Sequence, residues 1–334
     1  MKNQNDHAII VSCNPGYEFG MIATMNAMEY FNTNADWEIA YEDFTDGRRA
    51  MISSAFDFNV HWTHVSELME TVVDRRTDQT GQLNRFWLAY WLMAEKALKK
   101  GYKSVCVIQA DQFVFVNLNN YFMYADTGFL VCSEHAFTGL KAVDCDFGND
   151  KSIWDRSMCP IFDSVNFISQ AHKDMPRQIV EFQCEDAFKG EASHSVIALN
   201  RALCKFGKKD TVIGLPGKEW ACDSIWPELD CSIEGDEVHT FVMDRPNIAQ
   251  TQLKSWHSRW WQKDRCLAEF RNNKKAIVAN KDNVEFMAVQ DRVEKNYNVV
   301  KSFMERFNDM TPAIRSDNFQ QGIIRRPRYE IGES

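Results

Sequence analysis

The stretch VCVIQADQFVFVN, residues 105–117, decides how the chain folds. Four consecutive apolar residues, Val105 to Ile108, form a run too short for a helix of ordinary length. A run this apolar belongs to a strand covered on both faces, as in a parallel sheet. The run ends on Gln109, Ala110 and Asp111 before apolar residues resume at Phe113. A carboxylate at that point is either a solvated turn residue or a ligand-binding group beyond the carboxyl end of a strand.

Working outward, the neighbouring segments alternate between short apolar runs and longer amphipathic ones, the pattern of strands joined by crossover helices. AIIVS (8–12) reads as the first strand, followed by the turn NPGYEFG and a helix over residues 19–31. WEIAYEDF (37–44) reads as a second strand. Leu83, Phe86, Trp87, Tyr90, Met93, Ala94, Ala97 and Leu98 recur at helical spacing, and Gly101 closes that helix. Residues 129–132, 211–213 and 238–242 are further strands, and residues 196–206 a helix. A stripe from Phe286 through Val289, Val293, Tyr297, Val300 and Met304 to Phe307 marks a long late helix. Residues 144–190 show no regular pattern, and the tail IIRRPRYEIGES shows none either.

Composition narrows the function classes. The chain has 334 residues with 45% apolar content, and 47 acidic against 38 basic residues give a net charge of −9. That balance excludes a protein whose whole surface binds nucleic acid or membrane. Ten cysteines occur singly, without CxxC spacing, as expected of reduced, buried thiols in a cytoplasmic protein. No run of 18 apolar residues is present, so no transmembrane segment is expected.

Against this charge, residues 254–275, KSWHSRWWQKDRCLAEFRNNKK, carry seven basic and two acidic residues, with Trp256, Trp260 and Trp261 interleaved. Such a segment is either a helix docking its tryptophans on a core or a surface for phosphates, stacked bases or anionic headgroups.

The order of elements resembles GT-A glycosyltransferases. A long helix carrying Arg85, the strand VCVI, QAD and then FVFVNLNNYF is similar to that fold's segment of strand, DxD and following strand. The retaining glycogenin-like and lipopolysaccharide-galactosyltransferase group is the part of the fold it is most similar to. That group closes its core with HxxGxxKPW, and this chain has HTFVMDRPN at 239–247. AIIVSCNPGYEFG is similar to the group's opening strand and turn, CPIFDSVNF (159–167) to its Asn-Ser-Gly segment, and GLPGKEW (214–220) to its Leu-Pro turn. The Asp-Gln pair that precedes the group's late helix has no counterpart in SHSVIALN.

The resemblance implies an α/β fold, GT-A in type, with a mostly parallel sheet flanked by helices. It implies a catalytic domain over residues 1–250 and a helical C-terminal extension over 251–334. It also implies transfer of a sugar from a nucleotide-sugar to a hydroxyl acceptor, retaining in stereochemistry and assisted by Mn2+ or Mg2+. Asp111 and His239 would then be metal ligands. Ser12, Asn14, Tyr17, Arg85, Gln109, Ala110, Asp111 and Arg245 would line the donor. Asp163, Glu185 or Asp186 would face the sugar opposite the leaving phosphate. Lys254, Trp256, Arg259 and Trp260 would form an acceptor surface for a glycan, a lipid-linked sugar or a hydroxylated DNA base. Gln109 stands where the group has its first Asp, so either the metal is held more weakly, with water completing its shell, or the enzyme has moved toward metal independence. Two other readings fit the residues: a nucleotide-sugar binder that has lost catalysis, and a nucleotidyltransferase of similar fold.

Overall fold

The computed structural model describes residues 4–74, 85–134, 161–185, 195–206, 211–220, 222–223, 229–235, 237–242, 251–257, 264, 267–268 and 284–310. In chain order the first half comprises β1 (His7–Cys13), α1 (Glu18–Tyr30), β2 (Asp36–Tyr41), α2 (Asp46–Ser54), β3 (Val60–His64), α3 (Val65–Met69), α4 (Arg85–Lys100) and β4 (Ser104–Ile108). There follow β5 (Gln112–Val114), α5 (Asn119–Asp126), β6 (Leu130–Glu134), β7 (Ile161–Ser169), α6 (Met175–Gln183), α7 (Ser195–Phe206), β8 (Val212–Leu215) and α8 (Gly217–Trp220). The last elements are β9 (Cys222–Asp223), β10 (Leu229–Glu234), β11 (Glu237–Val242), β12 (Thr251–Leu253), β13 (Ser255–His257) and α9 (Val284–Asn308).

Seven strands form the central sheet, in the order β3-β2-β1-β4-β7-β6-β8. All neighbours pair in parallel except around β7, which runs antiparallel to both β4 and β6. The expected apolar strand is β4, buried along its whole length. Its side chains alternate between two cores. Val105 and Val107 join Leu88, Trp91, Ile179 and Leu199 from α4, α6 and α7. Cys106 and Ile108 join Met21 and Met25 of α1, Leu118 just before α5 and Phe122 of α5. Helices therefore cover both faces, which is why the strand carries no polar face.

Helix α4 buries more than the expected stripe. Leu88, Ala89, Trp91 and Leu92 are as buried as Tyr90 and Met93, because the helix lies on the sheet and is flanked by α3 and α6. Gly101, at φ +113°, ends it, a backbone conformation that side-chain-bearing residues rarely adopt.

The segment expected to be irregular holds β7 and α6. Its strand was hidden by Ser164, Asn166 and Ser169, polar residues that are buried here. Ser164 is matched by the hydroxyl of Ser133, 3.0 Å away on β6, so at this position polarity that reads as a loop is satisfied inside the sheet.

Two three-stranded sheets sit on this framework, β10-β11-β12 and β5-β13-β9. Residues 251–257, read from sequence as part of an extension, supply β12 and β13. These are hydrogen-bonded to β11 and to β5 and β9. Phe113, Phe115 and Trp256 meet α1 and α9 in a third core, where Val300, Phe303, Met304 and Phe307 of α9 are buried. Among the described side chains, the cysteines Cys13, Cys106, Cys132, Cys184 and Cys231 are buried. Burial pushes the Cys132 thiol up to about 12. Among the described residues no helix is long and apolar enough to cross a membrane.

Candidate functional site

In a sheet of this topology, loops leaving the carboxyl ends of parallel strands gather along one edge. The β1 loop is a tight turn in which Asn14 Oδ1 accepts from the Gly16 N–H at 2.9 Å. The Tyr17 N–H donates to the Asn14 carbonyl, also at 2.9 Å. Ser12, at the end of β1, is 6% exposed and its hydroxyl has no hydrogen-bond partner. A buried hydroxyl at a strand end is an available contact for a ligand, since leaving it unpaired is costly.

Arginines surround the next loops. Arg48 of α2 pairs with Glu18, the first residue of α1. Burial raises the Glu18 carboxyl above the usual range, and the Arg48 charge only partly opposes it. Arg49 lies over the Tyr41 ring at 4.2 Å, while His64 meets that ring edge-on. Beyond β2, the Glu42 N–H donates to the Cys13 carbonyl at 3.3 Å, and its carboxylate pairs with Arg85 at 3.4 Å. The N-terminus of α4 is thereby tied to the ends of β1 and β2.

Beyond β4, the Gln112 N–H donates to the Gln109 carbonyl at 3.0 Å, closing the turn that carries Ala110 and Asp111. Ser12, Asn14, Tyr17, Arg85, Gln109, Ala110 and Asp111 thus all lie on the strand-end loops or on the helix tied to them. The backbone of Asp163 joins them: β7 runs antiparallel with Val165 opposite Ile108, so Asp163 sits just past the end of β4.

The remaining expected residues are placed differently. His239 is on β11, opposite Ser232 and Gln252, and its Nε2 lies 2.9 Å from a Glu237 carboxylate oxygen. Glu185, just past α6, faces Arg201 at 3.6 Å. Lys254 pairs with Glu219 at 2.6 Å and lies over the Trp220 ring. Burial works against its charge, yet Glu219 and Tyr121 hold the ammonium above its usual range. Trp256 is only 2% exposed and packs opposite Phe113. Asp186, Arg245, Arg259 and Trp260, and the side chain of Asp163, lie outside the described residues.

One histidine escaped the sequence reading. β13 pairs with β5 so that His257 is directly opposite Gln112, the residue after Asp111, and beside Asp223 of β9. A signal for it exists: Lys263 follows His257 by six residues, the same His-to-cation spacing as His239 and Arg245. Among the described residues no three acidic, histidine or cysteine side chains come together to hold a metal.

The sheet order of the described residues, with β7 antiparallel within it, is that of the GT-A fold. Among solved structures the chain is similar to the galactosyltransferase LgtC, determined in complex with donor and acceptor sugar analogs. That match has 12% identity, covers 95% of this chain and 100% of LgtC, and has a TM-score of 0.52. The bifunctional glycosyltransferase WbbM gives 11% identity over 67% of this chain, with a TM-score of 0.48. The glycosyltransferase GlyE of Streptococcus pneumoniae TIGR4 gives 11% over 65%, with a TM-score of 0.41. The chain spans 40% of the WbbM chain and 46% of the GlyE chain. No protein-family model matches the sequence, and no curated protein matches it.

Proposed function

We propose that the protein is a glycosyltransferase that moves a sugar from a nucleotide-sugar donor to a hydroxyl of an acceptor glycan. The observation that supports this most is the convergence of the Asn14–Tyr17 turn, the Glu42–Arg85 pair and Asp111 on one sheet edge. Ser12 and the turn residues Asn14 and Tyr17 would bind the nucleoside, and Arg85 would act near the phosphates. Breaking the bond between sugar and phosphate leaves charge on the phosphate oxygens. A guanidinium fixed at the site edge stabilises that charge better than water does. Asp163, Glu185 and Asp186 remain our candidates for the opposite face of the sugar, and Arg245 for the diphosphate. Retention of configuration is part of the proposal. For the acceptor, Lys254, Arg259 and Trp260 are the proposed contacts; Trp256 serves them from the core.

Assistance by a divalent cation, Mn2+ or Mg2+, is part of the proposal. Asp111 offers a carboxylate, and the Gln112 amide oxygen is buried without a hydrogen-bond partner. We assign Asp111 and His257 as ligands in preference to His239, because His257 is in register next to the Asp111 turn. When bound, the cation would neutralise the diphosphate charge.

The test is a donor screen. Nucleotide-sugars are added with Mn2+ and an acceptor glycan mixture, and products are read by mass spectrometry. Addition of a hexose mass supports the proposal. Donor binding without any product on any acceptor would instead mark a binder, and addition of a nucleoside monophosphate would mark a nucleotidyltransferase.

A further inference from the structure

The turn after β1 and the loop after β2 meet along the site edge, and an ion pair spans them. Glu18 follows the Asn14–Tyr17 turn and is the first residue of α1. Its carboxylate accepts from Nε of Arg48 on α2, and Nη2 of the same guanidinium lies against the same oxygen. The pair is largely enclosed, with the Glu18 side chain 10% and the Arg48 side chain 18% exposed.

The segments it joins are otherwise lightly held. Tyr17 stands at the N-cap of α1, but its side chain makes no capping hydrogen bond. That leaves the Glu18 carboxylate as the acidic group of the first turn, where the helix dipole favours negative charge. Helix α2 buries only Ile52, and its Thr45 cap accepts from the Arg48 N–H at 3.2 Å. Between β2 and α2, Asp43 adopts a left-handed backbone at φ 61°, a conformation that persists where the surrounding structure enforces it. Ties flank it on both sides, Glu42 to Arg85 and Arg48 to Glu18.

We propose that Glu18 and Arg48 are positioning residues for the donor nucleotide: their pair holds the β2–α2 loop against the β1 turn, so that the site edge has its binding shape before the nucleotide arrives. The proposal rests on the glycosyltransferase reading above and names the residues that preorganise its donor site. Ordering loops at the moment of binding costs affinity, and a link made beforehand removes that cost. The link requires an ionised Glu18. Burial raises its carboxyl above the usual range, with Arg48 only partly opposing, while the coupled Cys13 thiol of β1 is pushed up by burial and stays protonated. The link is therefore intact above the raised Glu18 value and lost as pH falls through it.

The experiment is calorimetric titration of the full-length protein with Mn2+ present, using the diphosphates of uridine, cytidine, thymidine, guanosine and adenosine as probes. With the diphosphate that wild type binds best, Glu18→Gln should bind about tenfold more weakly at about pH 7.5. The gap should close as pH is lowered to about 5, because glutamine copies the protonated acid. The nucleotide's own titration is common to both proteins and cancels in the ratio. The double variant Glu18→Gln/Arg48→Met removes the pair without leaving a lone charge, and should show the same gap even if the single variant folds poorly. Wild-type affinity in either variant at about pH 7.5, or a ratio that stays constant with pH, overturns the proposal and leaves the glycosyltransferase reading standing. If the wild type binds none of the diphosphates, that reading fails and the positioning role fails with it.

Discussion

Two histidines compete for one role, and alanine substitution at each separates them. His239 interacts with Glu237 at 2.9 Å, with the histidine 16% and the glutamate 49% exposed. An ion pair this open to solvent is worth at most about 1 kcal/mol. His239→Ala should therefore lower stability by less than about 1 kcal/mol and leave cation-supported donor binding unchanged. His257 lies opposite Gln112, next to the Asp111 turn. Changing even a group that only supports a metal ligand typically costs about 10- to 100-fold in affinity. Losing a ligand should cost at least that, or roughly 1.4–2.8 kcal/mol. The assay is isothermal titration of a nucleoside diphosphate into each variant with and without Mn2+, with thermal melting as the check on folding. The predicted result is a Mn2+-dependent gain in affinity that persists in His239→Ala and disappears in His257→Ala. If His239→Ala abolishes the gain while His257→Ala retains it, the register argument is wrong and the sequence spacing was the better guide.

Other outcomes follow from the same geometry. Asp111→Ala should abolish sugar transfer while the melting temperature stays near wild type; near-normal turnover would remove the strand-end turn from the site. Trp256→Ala should cost about 3–5 kcal/mol in urea unfolding, because a side chain 2% exposed leaves a cavity; a stable variant with weakened acceptor binding would show that it serves the surface instead. Glu95 lies between Arg177 at 2.5 Å and Lys99 at 2.6 Å. Burial opposes its charge, but the two cations hold its carboxyl below the usual 4.5. Its contribution is thus fully present above that value and is lost as pH falls through the lower folded one. Urea midpoints measured from about pH 6 down to pH 3 should fall less steeply in Glu95→Gln than in wild type, and parallel curves would contradict the assignment.

How much of the molecule was legible in the sequence depends on how local each cause is. β1, β4, α4 and α9 were readable because their apolar spacing records which faces meet a core. That Ser12, Asn14, Tyr17 and Asp111 stand at strand ends was readable for the same reason, since locating a strand also locates the loop at its carboxyl end. β7 was not, because Ser164, Asn166 and Ser169 look like loop residues in the sequence although they are buried between β4 and β6, where Ser164 meets the hydroxyl of Ser133. β5 and β13 span three residues each and become strands only through their pairing with each other. The choice between His239 and His257 is of this kind too. Both have a cation six residues downstream, and only the register between distant segments distinguishes them.

That register also bears on how the molecule is made. The strand that begins immediately after Asp111 finds its partner 145 residues later, at His257. On a ribosome, the central sheet around β4 can start to assemble while β13 has yet to be synthesised, since domains build from the N-terminal side as the chain emerges. Until then β5 is an unpaired edge, open to the wrong partner. Truncation before residue 251 should therefore leave an aggregation-prone chain. The ligand edge would be among the last parts of the molecule to close.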